Sequence, residues 1–141
     1  MASLRTSPPP PEATLVTRWT LSSPVELRAF RAALHEAVTG NHLVAGERLD
    51  EVPELVVLVA TELATNALRH GLPPTIVSLL ANDDCFVLDV ADHDLARAPE
   101  LPDAQPFESG GRGLQLARAL SLDVGWYATE DAKHIWASFD R

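Results

Sequence analysis

Pro53-Glu-Leu-Val-Val-Leu-Val-Ala-Thr-Glu62-Leu-Ala-Thr-Asn66-Ala-Leu-Arg-His70-Gly71 is the stretch on which the fold turns. It reads as one long helix, capped near Asp50, with Pro53 tolerated in its first turn and Gly71 as its stop. Residues four apart on a helix lie nearly above one another. Leu55, Leu58, Val59 and Leu63 then form an apolar stripe, with Glu62 in its middle and Asn66 and His70 continuing along that side. A buried carboxylate without a partner costs several kcal/mol or changes its protonation. The spacing therefore predicts a polar cavity beside this helix, lined by an acid, an amide and an imidazole. The competing readings are a solvated helix face and a zinc site, and zinc would normally need more soft or imidazole ligands at close spacing. In the cavity reading Asn66 offers a neutral oxygen to Mg²⁺, and Glu62 takes a proton from an attacking hydroxyl or water.

The rest of the chain builds outward from this helix. Thr14 to Leu21 alternates and is rich in β-branched residues, as a strand should be. Ser23-Pro24-Val25-Glu26 has the form of a capping box with proline at the first helical position, so a first helix should run to about Val38. Thr75 to Leu80 and Cys85 to Ala91 are apolar strands joined at Asn82-Asp83-Asp84 as a hairpin. Asp92 to Ser109 is polar, carries three prolines and is too long for an ordinary connection, which suggests a lid or binding segment. A third helix, Leu114 to Leu120, and two closing strands, Val124 to Thr129 and His134 to Phe139, complete the order β-α-α-β-β-lid-α-β-β. This order predicts an α/β (α+β) two-layer sandwich. Its sheet should be mixed and mostly antiparallel, with about three helices on one face. Residues 1–13, including Pro8 to Pro11, are expected to be a flexible proline-rich tail ahead of a single domain over 14–141.

Composition narrows the function. With 141 residues and 46% hydrophobic content, the chain is long enough for a core of ordinary size. A formal net charge of −9 disfavours direct nucleic-acid binding. The single cysteine, Cys85, excludes an intrachain disulfide and reads as a small core residue. No apolar run approaches a membrane span, and the start of the chain lacks the apolar middle of a signal peptide. A soluble, cytoplasmic protein is expected.

Two further motifs carry chemistry. Asp92 ends a strand at the mouth of the sheet, where its carboxylate could accept from an exocyclic amine and so choose adenine; an ordinary turn-starting Asp is the plainer reading. Gly110-Gly111-Arg112-Gly113-Leu114 combines glycines, a cation and a helix start, which suits phosphate; a flexible loop is the plainer reading.

Together these residues resemble a known family. Glu62-Leu-Ala-Thr-Asn66-Ala-Leu-Arg-His70-Gly71 is similar to the N box of the GHKL ATPase/kinase superfamily, in the form of its anti-sigma-factor serine/threonine-kinase branch. Asp92, the lid, Gly111 to Leu114 and the closing Lys133-His134-Ile135-Trp136 follow in the matching order. The resemblance covers roughly Thr14 to Arg141. It implies a Bergerat fold, a histidine-kinase-like ATPase domain that binds ATP with Mg²⁺. It also implies a kinase for an anti-anti-sigma antagonist, with a sigma factor as a second partner and a homodimer in several members. Carried over, Glu62 matches the general base, Asn66 the magnesium ligand, Asp92 the adenine-recognising acid, and Gly111 and Gly113 the lid and phosphate turn. Two departures stand out. Asp92-His93-Asp94-Leu95-Ala96 lacks both glycines of the family's first glycine box, and His134 is read at the place of a small hydroxyl near adenine. The alternative is a non-catalytic module of the same fold that sequesters a sigma factor or antagonist; a stand-alone ATP hydrolase is a third reading.

Overall fold

A computed structural model of the chain describes residues 2–3, 6–9, 12–41, 51–95, 100–101, 117 and 119–141. Strand β1 (Ala2–Ser3) pairs with the short β5 (Glu100–Leu101). The main sheet contains β2 (Thr14–Leu21), β3 (Thr75–Ala81), β4 (Cys85–Asp92), β6 (Asp123–Ala128) and β7 (Lys133–Asp140), in the order β2-β3-β4-β7-β6. All four of its pairings are antiparallel, in line with the mostly antiparallel sheet expected, and an isolated parallel bridge joins Thr6 to Trp126. Every strand reaches a sheet neighbour through a hairpin or across the helical layer, so no parallel crossover is required.

Helix α1 (Leu27–Asn41) and helix α2 (Glu51–His70) cover one face. The capping box forms as expected: Glu26 Oε1 accepts from Ser23 N, and Ser23 Oγ accepts from Val25 N, over a single 3₁₀ turn Pro24–Glu26. Helix α1 then runs past Gly40, a turn beyond the expected end. A Cβ at Gly40 would meet nothing within 4 Å. Gly40→Ala should therefore stabilise the protein by up to about 1 kcal/mol, read from a urea midpoint, because alanine loses less backbone entropy in a helix. The third helix is described only at residues 117, 119 and 120.

The core lies between the helices and the sheet. Val56, Val59, Ala60, Leu63, Ala64 and Ala67 of α2 pack on Val77 and Leu79 of β3, Phe86, Leu88 and Val90 of β4, and Ile135, Ala137 and Phe139 of β7. Trp19 of β2 meets Phe30 of α1 edge-on, centroids 5.2 Å apart, which fixes α1 against the sheet edge. The buried stripe of α2 is thus rotated from the expected one. Leu58 is 42% exposed and Leu55 half-buried, while three alanines take the sheet-facing positions.

The hairpin turn between β3 and β4 is made by Asn82, whose Oδ1 accepts from both Asp84 N and Cys85 N at 2.8 Å. Cys85 is buried, as expected, and burial pushes its thiol up from the ordinary range. On the far face of the sheet Cys85, Val87 and Trp136 form a smaller cluster. The described part of the N-terminal segment lies against this face: Trp136 Nε1 donates to Ser7 O at 2.7 Å, and Ser7 N donates to Trp126 O at 2.8 Å. Its Ser7 backbone is therefore tied to the sheet. Among the described residues no helix is long and apolar enough to cross a membrane.

Candidate functional site

The site is built where α2 ends over the sheet. Gly71 N donates to Ala67 O at 2.8 Å and closes the helix, and the chain turns at once into β3. Gly71 sits directly on Asp92 at the end of β4. A Cβ on Gly71 would lie 2.5 Å from Asp92 Cγ, 2.7 Å from Asp92 Oδ2 and 2.8 Å from Ala67 O. Only glycine allows this close approach. The N-box glycine therefore does two jobs, ending the helix and leaving room for a carboxylate.

Asp92 is 4% exposed. A charge so deeply placed needs partners. Its Oδ1 accepts from Asp94 N at 2.8 Å, and Lys133 Nζ lies 3.7 Å from its Oδ2. The first contact makes a tight turn of Asp92-His93-Asp94 without a glycine. His93 N donates to Leu72 O, and the His93 ring lies 3.2 Å from Pro74 O, stitching this turn to the α2–β3 connection. No non-glycine residue among those described has positive φ. Over the described residues His93–Leu95 the backbone therefore takes no conformation that requires glycine.

Asp92, Lys133 and Thr75 form a row across the sheet. Asp92 pairs with Lys133, and one step beyond the Ile76–Ala91 pair the register sets Thr75 beside Asp92. Thr75 is fully buried, and among the described residues its hydroxyl has no hydrogen-bond partner. His134, expected at this place, is on the opposite face. Strand residues alternate in direction, so Lys133 shares the helix-side face with Ile135, Ala137 and Phe139, and His134 cannot. Its Nδ1 instead lies 2.7 Å from Asp89 Oδ1.

Asp89 anchors a polar cluster that the sequence did not announce. Tyr127 Oη donates to its Oδ2 at 2.7 Å, and the Tyr127 and His134 rings stack at 4.5 Å. Burial, then the Asp89 charge and hydrogen bond, raise the Tyr127 phenol above its ordinary range. A phenol whose folded value is raised contributes stability that is whole below the unfolded value and is lost as pH climbs past it. Tyr127 is the only tyrosine in the chain. Urea unfolding above pH 10 should therefore show stability falling with pH, and Tyr127→Phe should flatten that fall.

Glu62 and Asn66 are both half-buried, on the flank of α2 rather than the centre of its buried face, and His70 is exposed. Among the described residues no hydrogen bond or ion pair engages either Glu62 or Asn66. Thr61 and Thr65, by contrast, spend their hydroxyls on the carbonyls of Val57 and Thr61. Glu62 also borders a groove of about 400 Å³ between α1 and α2, lined by Arg31, His35, Glu54, Val57, Leu58 and Thr61. By helical rise, Asn66 lies about 7 Å and Glu62 about 13 Å along the axis from Gly71. The structure thus aligns Glu62, Asn66, Gly71 and Asp92 along one helix and its end. Gly110, Gly111, Arg112, Gly113 and Leu114 lie outside the described residues. Among the described residues no group of three or more His, Cys, Asp or Glu could hold a metal ion. A Mg²⁺ on Asn66 would take its other ligands from phosphates and water.

No curated protein matches the chain. The family model of the histidine kinase-like ATPase domain matches residues 20–139, which run from the end of β2 into β7 and contain every described residue of the site. With that match and this α/β sandwich, the chain belongs to the histidine kinase-like ATPase domain family, which points to an ATP-binding regulatory function.

Proposed function

We propose that the protein binds Mg·ATP along α2 and acts as an anti-sigma-factor-like serine/threonine kinase, phosphorylating an anti-anti-sigma antagonist. The observation that carries the reading is Asp92 seated under Gly71, at the end of the helix that bears Glu62 and Asn66. A purine at Asp92 with its phosphates running back along α2 would bring them toward Asn66 and Glu62, about 7 and 13 Å along the axis from Gly71. The residues suit the ligand: a side chain at Gly71 would close the cradle, and the unpartnered Thr75 hydroxyl leaves hydrogen-bonding capacity beside it.

In this reading the Glu62 carboxylate takes the proton of the acceptor hydroxyl as that oxygen bonds to the γ-phosphorus. The bond from phosphorus to the β–γ bridging oxygen breaks, and ADP leaves. Mg²⁺, when bound, spreads the charge of the transferring phosphoryl group. Asn66 would hold it, and Gly110, Gly111, Arg112 and Gly113 would meet the phosphates. A cytoplasmic setting and sigma-factor or antagonist partners belong to the same proposal. Titration of the protein with labelled ATP and Mg²⁺ tests it. Saturable, Mg²⁺-dependent binding is expected, and no binding at millimolar nucleotide would leave a non-catalytic protein-binding module in its place.

A further inference from the structure

Lys133 is the only lysine of the chain. Its side chain is 12% exposed, yet its ammonium has one described partner, Asp92 Oδ2, at 3.7 Å. That distance is an ion pair and too long for a hydrogen bond. An ammonium carries three N–H donors, and nearly burying them without acceptors is costly. On the other side of Asp92, Thr75 presents a buried hydroxyl that is also unpartnered. Beside the Asp92 carboxylate, the Lys133 ammonium and the Thr75 hydroxyl thus both keep unused hydrogen-bonding capacity among the described residues.

We propose that Lys133 is a base-reading residue, donating to the N1 nitrogen of adenine while Asp92 accepts from the neighbouring N6 amine. This rests on the ATP reading above. The Watson–Crick edge of adenine offers a donor and an acceptor on adjacent positions, and a carboxylate beside an ammonium is its complement. An inosine or guanine edge presents the reverse order, a carbonyl oxygen and then N1–H, and in the same pose would set that oxygen against Asp92. Lys133 thus adds discrimination that a lone carboxylate does not supply, since a site built to meet a ligand acceptor rejects the analogue lacking it. The alternative role, neutralising Asp92 alone, predicts no sensitivity to the atom at purine position 1.

Binding of ATP and of 1-deaza-ATP, in which N1 is replaced by C–H, separates the two in the full chain with Mg²⁺. The wild type should bind ATP about tenfold or more tighter than 1-deaza-ATP, as expected for a hydrogen bond to a charged donor. Lys133→Met should bind both within about twofold. Equal affinities in the wild type, or a preference for ATP kept by Lys133→Met, would overturn the assignment; the wild-type comparison stands even if the variant fails to fold. A wild type that binds no ATP would remove the ATP reading and the assignment with it, an outcome distinct from equal binding. Acetylation by a succinimidyl ester, read by peptide mass spectrometry, adds a second measurement. Mg·ATP should slow modification of Lys133 several-fold, and an unchanged rate would count against contact with the base.

Discussion

Gly71→Ala should lower the stability of the protein by about 3 kcal/mol and weaken ATP binding by more than tenfold. The added methyl would lie 2.5 Å from Asp92 Cγ and 2.8 Å from Ala67 O. Real contacts of that kind do not occur, so something must move. The Ala67 carbonyl is backbone inside α2 and accepts the bond that ends the helix. The Asp92 carboxylate is held by Asp94 N on one side and by the Lys133 charge on the other. Neither neighbour can give way without breaking a buried polar contact, and overpacking of this sort typically costs about 1–3 kcal/mol before that loss is added. Urea denaturation measures the stability and nucleotide titration the affinity. The contrast with Gly40→Ala is the control, because that glycine lies in a helix with open space around it and its substitution should stabilise. A Gly71→Ala protein as stable as the wild type would mean that Asp92 is not seated beneath the helix end.

Much of this arrangement was legible in the chain. The Ser23–Glu26 box started α1, Gly71 stopped α2, and Asn82 turned the β3–β4 hairpin, each because a side chain or a missing one settles local backbone geometry. What misled was the phase of α2. The large leucines at 55 and 58 suggested one stripe, but the helix approaches the sheet through Ala60, Ala64 and Ala67, which weigh little in a hydrophobic pattern and allow the closest packing. Glu62 and Asn66 consequently moved from the centre of the buried face to its half-buried flank.

The second difference is one of register. Starting β7 at His134 placed the imidazole near Asp92, whereas the alternation Lys133, Ile135, Ala137, Phe139 runs one residue earlier and carries the ammonium there instead. That signal was present in the sequence, because apolar residues two apart fix which polar neighbour shares their face. The Asp89–His134–Tyr127 cluster was less accessible. It joins β4, β7 and β6 through pairings that no local pattern specifies.

Glu62→Gln is the substitution that divides binding from chemistry. Glutamine keeps the shape and the half-buried position but cannot accept the proton of the attacking hydroxyl. If Glu62 is the base, ATP affinity should stay within about threefold while phosphoryl transfer falls by roughly 10²–10⁴-fold. The transfer is read with labelled ATP and the proposed acceptor, a protein recovered with this chain from its native cell. Asn66→Ala should do the opposite: it removes the magnesium-dependent part of the binding, so that affinity with and without Mg²⁺ becomes the same. The two residues are one helical turn apart on the same flank of α2, so a general disturbance of the helix would affect both measurements in both variants. The crossed pattern, transfer lost with binding intact in one and Mg²⁺ dependence lost in the other, cannot come from such a disturbance. Undiminished transfer by Glu62→Gln would exclude the carboxylate as base. It would leave positioning of the acceptor hydroxyl, which needs no proton acceptor at this helix, as the source of any catalysis.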